Sequence, residues 1–362
     1  MLGWGTVKAA AGKLALAIVA PILALALLEG LVSLVLAGRD YSFWRDRPLP
    51  EEQHSRYDAQ LGWVNLPNVS VPDMYGPGVA LHTNARGFRG LAETVDSLPG
   101  GRRRAICIGD SFTLGYGVSD AETWCALLGT ALPDLEMVNM GQGGYGIDQA
   151  YLWYRRDGLP LRHDFLIFAY ITIDLWRMTV PRFVGYGKPV LVQQGDSLVV
   201  TNVPAPKRGA VWRARARAAA AMRGTRLSEL TRRLALRSSG RRIADSLARD
   251  SVAFDVAAAI VRRLARIQRE RGGTLILVHL PVEQDYGTGS SDLLRRRMGA
   301  LAAAEGIRFV DLVAALRALP AGSVPSLFIP RNGHYTPAGN RWVAGLLEPA
   351  IRDTTLGKQQ SP

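Results

Sequence analysis

With two cysteines in 362 residues, the chain has little room for thiol-based metal or redox chemistry. Cys107 and Cys125 form no Cys-x-x-Cys pair and no Cys/His cluster, so their spacing offers no zinc site. If the domain is exported a disulfide between them is open; two buried thiols packed as small hydrophobes is the alternative. Lysine is scarce as well, at only five of the 44 basic positions (8, 13, 188, 207 and 358), so arginine carries the formal net charge of +13. A bias of that size concerns partners and solubility, not fold. Aromatic residues are not interleaved with the basic ones densely enough for base stacking, so no nucleic-acid partner is expected. No phosphate-cradling or metal-ligand spacing is visible, and no cofactor or metal is expected.

What the chain does have, first, is one long apolar run. Leu14 to Ala37 is broken only by Pro21, Glu29 and Ser33. As a helix it would extend about 36 Å, enough to cross a bilayer. Lys8 and Lys13 precede it without an acid, while Arg39, Arg45 and Arg47 after it are partly offset by Asp40 and Asp46. That asymmetry favours a cytoplasmic N-terminus in a bacterial inner membrane, single-pass, with the main domain periplasmic or extracellular. A signal peptide cleaved near Val35-Leu36-Ala37 is the rival; the run is longer than an ordinary signal core, which favours an uncleaved anchor.

The chain then divides as follows. Residues 1–39 form the anchor, and residues 40–103 form an extension of short turn-bounded strands, rich in Pro, Gly and Asn, with no chemistry of its own. Residues 104–352 alternate strands with helices, and 353–362 are a tail. Strands are expected at Ala105–Ile108, Glu136–Asn139, Phe165–Ile171, Thr274–Leu280 and Ile307–Val310. The alternation implies a three-layer α/β/α domain on a parallel sheet. An insertion at 181–250 interrupts it. Tyr186–Pro206 reads as a hairpin turning at Gln194-Gly195-Asp196-Ser197, and Lys207–Arg242 holds twelve basic residues against Glu229 alone. Leu227, Leu230 and Leu234 share one helical face there, so the segment is a candidate interfacial helix on anionic lipid, a contact for an acidic glycan, or a solvated helix packed by its Leu stripe.

Chemistry concentrates at the strand ends. The first strand closes on Gly109-Asp110-Ser111, where an open α/β sheet binds ligands. A Gly-rich loop, Gly141-Gln142-Gly143-Gly144, follows the second strand. Far downstream, Arg331-Asn332-Gly333-His334-Tyr335-Thr336-Pro337 places an imidazole just before the last helix, and His is the side chain suited to accept a proton at neutral pH.

These residues resemble the blocks of the SGNH, or GDSL, hydrolase family, over roughly 104–352. The resemblance implies the flavodoxin-like SGNH fold, Ser111 as nucleophile and His334 as base. It implies an oxyanion hole from the N–H groups of Ser111 and Gly144, with Gly143 close behind. Two positions depart from the family pattern. Where an Asn donor to the oxyanion is expected the chain has Ile173, leaving Thr172 as substitute; where an Asp is expected before the histidine it has Arg331 and Asn332. Asn332, Asp174 and Asp311 are therefore the candidates to orient His334. With its anchor, the chain is similar to membrane-tethered members that work on envelope carbohydrates. The expected function is a serine esterase or O-acyltransferase acting on acyl esters, acetyl foremost, of an envelope or extracellular polysaccharide. An acylated or acidic glycan and a membrane acyltransferase are the expected partners. The alternative is a non-catalytic envelope glycan- or lipid-binding protein on the same scaffold.

Overall fold

The computed structural model describes residues 4–45, 50–98, 102–222, 251–330 and 332–359, and the chain divides into two compact units. One comprises residues 1–49 and 209–237, the other residues 50–208 and 238–362.

In the first unit a single helix runs from Trp4 to Arg45. Its stretch Val19–Arg39, of mean hydropathy 2.4, is solvent-facing and long and apolar enough to cross a membrane. A second helix, Ala210–Met222, belongs to the same unit, in which Ala37, Ala220 and Ala221 are buried. The stripe Leu227, Leu230, Leu234 and most of the Arg-rich segment lie outside the described residues.

The second unit begins with short antiparallel pairs. β1 (Ser55–Asp58) pairs with β2 (Gly62–Asn65), and β3 (Ser70–Val71) with β4 (Leu81–His82). Arg89 then bridges to Asn139, so the extension covers an edge of the main sheet.

That sheet uses β5 (Arg103–Gly109), β6 (Leu135–Gly141) and β7 (Phe165–Tyr170). The insertion follows with β8 (Arg182–Phe183), β9 (Tyr186–Gly187), β10 (Val190–Gln194) and β11 (Ser197–Thr201). β10 and β11 make the expected hairpin, with Gln194 opposite Ser197. β12 (Thr274–His279) and β13 (Arg308–Asp311) complete the sheet. All five strands are parallel in the order β13-β12-β7-β5-β6. By chain order that is 2-1-3-4-5 read from the β6 edge, the doubly wound flavodoxin-like arrangement, so the expected three-layer fold is present. The order reverses between β5 and β7, and that switch point is where such sheets open a crevice.

Alternation along β5 feeds two cores. Ile106 and Ile108 pack on one face with Tyr151, Ile260 and Leu264; Ala105 and Cys107 pack on the other with Leu128, Val343 and Leu347. Cys107 and Cys125 are buried free thiols with their sulfurs 2.6 Å apart. The last helix runs Pro337–Gln359, so the segment expected as a tail continues the helix in its described part.

Candidate active site

Gly109 ends β5 because nothing larger fits: a Cβ there would sit 2.4 Å from the Ala169 carbonyl oxygen and 2.3 Å from Thr113 Oγ1. The chain then turns, and Asp110 caps the short helix Ser111–Leu114 by accepting from the Phe112 amide at 2.9 Å. This places Ser111 at the C-terminal edge of the sheet, beside the switch point.

His334 arrives from the opposite end of the chain. The Ile329 amide donates to the His334 carbonyl at 2.7 Å, and Gly333 takes φ +80°, closing a tight turn. Tyr335, buried, anchors it by donating from its hydroxyl to the Pro281 carbonyl at 2.6 Å. The imidazole lies between two rings, with centroids 4.7 Å from Phe112 and 4.6 Å from Tyr116. His334 Nε2 is 2.8 Å from Ser111 Oγ. Its Nδ1 contacts Asn332 Oδ1. An amide oxygen only accepts, so the proton sits on Nδ1 and Nε2 keeps its lone pair for the serine hydroxyl. Burial holds the His334 pKa down to about 4; nearby Asp110 opposes this and Arg177 adds to it. The imidazole is therefore neutral at pH 7 and able to accept a proton.

Of the three candidates to orient His334, only Asn332 is brought to the ring. Asp174 accepts from the Ile171 amide and pairs with Arg177. Asp311 caps the helix Leu312–Arg317 and pairs with Arg295. Thr172 is not at the cavity either. It begins the helix Thr172–Arg177, and its hydroxyl lies 3.1 Å from Nε2 of the buried His279.

The Ser111, Gly143 and Gly144 amides have no hydrogen-bond partner among the described residues. Gly144 has φ +76°, and a Cβ there would meet the Phe183 ring at 2.9 Å. All three residues line a cavity of about 200 Å³ that also holds His334.

Several residues of that cavity were not singled out by the sequence. The extension supplies Glu51, His54 and Trp63, and the insertion supplies Phe183 and Tyr186. Trp63 donates from Nε1 to the Gly143 carbonyl at 2.9 Å, bracing the loop that carries Gly144. Burial depresses the His54 pKa, leaving a second neutral imidazole in the wall. Arg177, one turn past the missing Asn donor, donates from Nη1 to Asp110 Oδ2 at 2.8 Å and to Asp174 Oδ1 at 2.6 Å. A sequence signal existed only for Arg177, as the first basic residue after the third strand. The walls are assembled by tertiary packing.

No family model and no curated protein matches the chain. Solved structures similar to it include a member of the lipolytic protein G-D-S-L family from Veillonella parvula, at 13% identity and TM-score 0.40, over 68% of this chain and 96% of that one. A lipase/acylhydrolase from Enterococcus faecalis is similar at 13% identity and TM-score 0.40, over 70% and 96%. An acetyl xylan esterase is similar at 16% identity and TM-score 0.42, over 68% of this chain and 99% of that one.

Proposed function

We propose that the chain is a membrane-anchored serine esterase or O-acyltransferase acting on small acyl esters, acetyl foremost, of an envelope or extracellular polysaccharide. The observation that carries this reading is the 2.8 Å contact of Ser111 Oγ with a neutral His334 whose far nitrogen is held, at the mouth of a cavity lined by free amides. Ser111 Oγ attacks the ester carbonyl carbon while its proton passes to His334 Nε2. The carbonyl oxygen gains the negative charge and meets the N–H groups of Ser111 and Gly144. The C–O bond to the sugar breaks, and Nε2 returns the proton to the departing hydroxyl oxygen. Water then attacks the acyl-serine for hydrolysis, or a sugar hydroxyl for transfer; either gives its proton to Nε2, which passes it to Ser111 Oγ as the acyl–Oγ bond breaks, restoring the free serine and the neutral imidazole.

A cavity of about 200 Å³ suits a short acyl group. The charge asymmetry across the Val19–Arg39 stretch supports a cytoplasmic N-terminus and a periplasmic or extracellular catalytic unit. The full-length chain in detergent should hydrolyse an aryl acetate, and Ser111→Ala should abolish both turnover and labelling by a fluorophosphonate. Equal rates for the two proteins would leave the non-catalytic binding reading standing instead.

A further inference from the structure

A second recess, of about 410 Å³, lies between the helix Ser251–Glu270 and the hairpin β10–β11. Arg262, Arg263 and Arg266 enter it from the helix, and Arg155 from the turn after Trp153. All four are exposed. Arg262 is offset by Glu305 at 3.1 Å, and Arg155 rests on the Tyr151 ring at 5.8 Å. Arg263 and Arg266 have no ion-pair partner among the described residues. The one acid in the lining is Asp196. Like charges three and four residues apart on a helix destabilise it, and the fold does not need them, because Val261, Leu264 and Ala265 already bury the opposite face. A surplus of guanidinium groups kept at such a cost, around a concavity, suits an anion.

The surroundings narrow the class. Guanidinium forks match planar carboxylates, and Gln193 and Ser197 add groups able to bond hydroxyls. None of the large exposed apolar side chains lines the recess, so it has nothing to insert into a bilayer. Its one aromatic residue, Tyr151, is 2% exposed and offers no stacking platform for bases. Among the described residues the catalytic cavity, by contrast, has no surplus cation, since Arg177 is held between Asp110 and Asp174. We propose that this arginine recess binds the carboxylates of an acidic polysaccharide, away from Ser111, so that the polymer is gripped at one place and its ester presented at another. The binding claim stands apart from the catalytic reading, because Ser111→Ala should bind as the unaltered chain does.

The experiment measures binding of oligogalacturonate to the full-length chain in nanodiscs, by calorimetry at low salt. Saturable binding that weakens with added salt is expected, with none for a neutral dextran of equal length. Arg263→Glu/Arg266→Glu should weaken it about tenfold or more. Arg308→Glu/Arg341→Glu, the same charge change at exposed positions outside the recess, should leave it within about twofold. No binding, or equal losses in the two double variants, overturns the proposal. So does binding that vanishes in phosphatidylglycerol nanodiscs but survives in zwitterionic ones, because the recess would then face lipid.

Discussion

Replacing Asn332 by Asp tests the catalytic geometry at its most sensitive point. In the structure the half-buried His334 ring lies between Phe112 and Tyr116, and its Nδ1 proton meets a neutral amide oxygen. Desolvation, with Arg177 adding to it and Asp110 opposing it, lowers the imidazole pKa from 6.5 to about 4, which disfavours the imidazolium by roughly 3 kcal/mol. The same ion forms when His334 takes the serine proton, so this site runs its chemistry against that cost. Below its pKa the ring is already protonated and cannot act as base, so kcat/KM should fall as pH drops through about 4 and stay flat above it. A carboxylate at position 332 favours the imidazolium and raises the pKa by about 1–3 units. Position 332 is exposed, so solvent screens the new charge and the lower end, about one unit, is expected. Asn332→Asp should therefore move the acid limb of the pH profile upward by about one unit and raise the plateau rate about tenfold. Asn332→Leu frees the tautomer and should cost as much as ~10⁴. The assay is aryl acetate hydrolysis across the acid and neutral range. An acid limb near 6.5 in the unaltered chain, unmoved by Asn332→Asp, would refute the placement of Asn332 on the ring.

Two further outcomes follow from positions beside the cavity. Gly144→Ala forces a side chain onto φ +76° and within 2.9 Å of the Phe183 ring, so it should lower kcat more than tenfold and cost about 1–2 kcal/mol in denaturant unfolding. Lys188 Nζ lies 2.5 Å from Asp148 Oδ2, both side chains fully buried, and burial pushes the Asp148 carboxyl up. Lys188→Met alone should destabilise by about 3–5 kcal/mol, and adding Asp148→Leu should restore most of it; a milder single loss, or no rescue, would show the pair is not isolated from water.

The frame of this protein was legible because strand burial is written locally. Phe165–Tyr170 and Thr274–His279 are unbroken apolar or β-forming runs, and both are buried strands of the sheet. Gly109-Asp110-Ser111 and the segment before Pro337 stood out in the sequence because their types suit chemistry and their positions fall at element ends, and the structure brings Ser111 and His334 together. The sequence does not say where the helix after β7 starts; beginning at Thr172, it places that hydroxyl 3.1 Å from His279 Nε2. Asn332 stood out only as a departure, and its contact with Nδ1 depends on a three-residue turn. His54 and Trp63 left no pattern, and Arg177 only its place as the first basic residue after β7. Trp63 meets Gly143 across 80 positions of the chain and Arg177 meets Asp110 across 67, and packing alone joins them.

Glu51, His54, Trp63 and Tyr186 hang over the nucleophile from two stretches that contribute nothing to the five-stranded frame. At Gly62 those stretches touch backbone to backbone, with room for no side chain between them and Gly187. The portal and the scaffold are thus separable inheritances. Exchanging those two stretches together would change what faces Ser111 and, through Trp63 and Phe183, the loop that carries Gly144, while the five strands stay as they are.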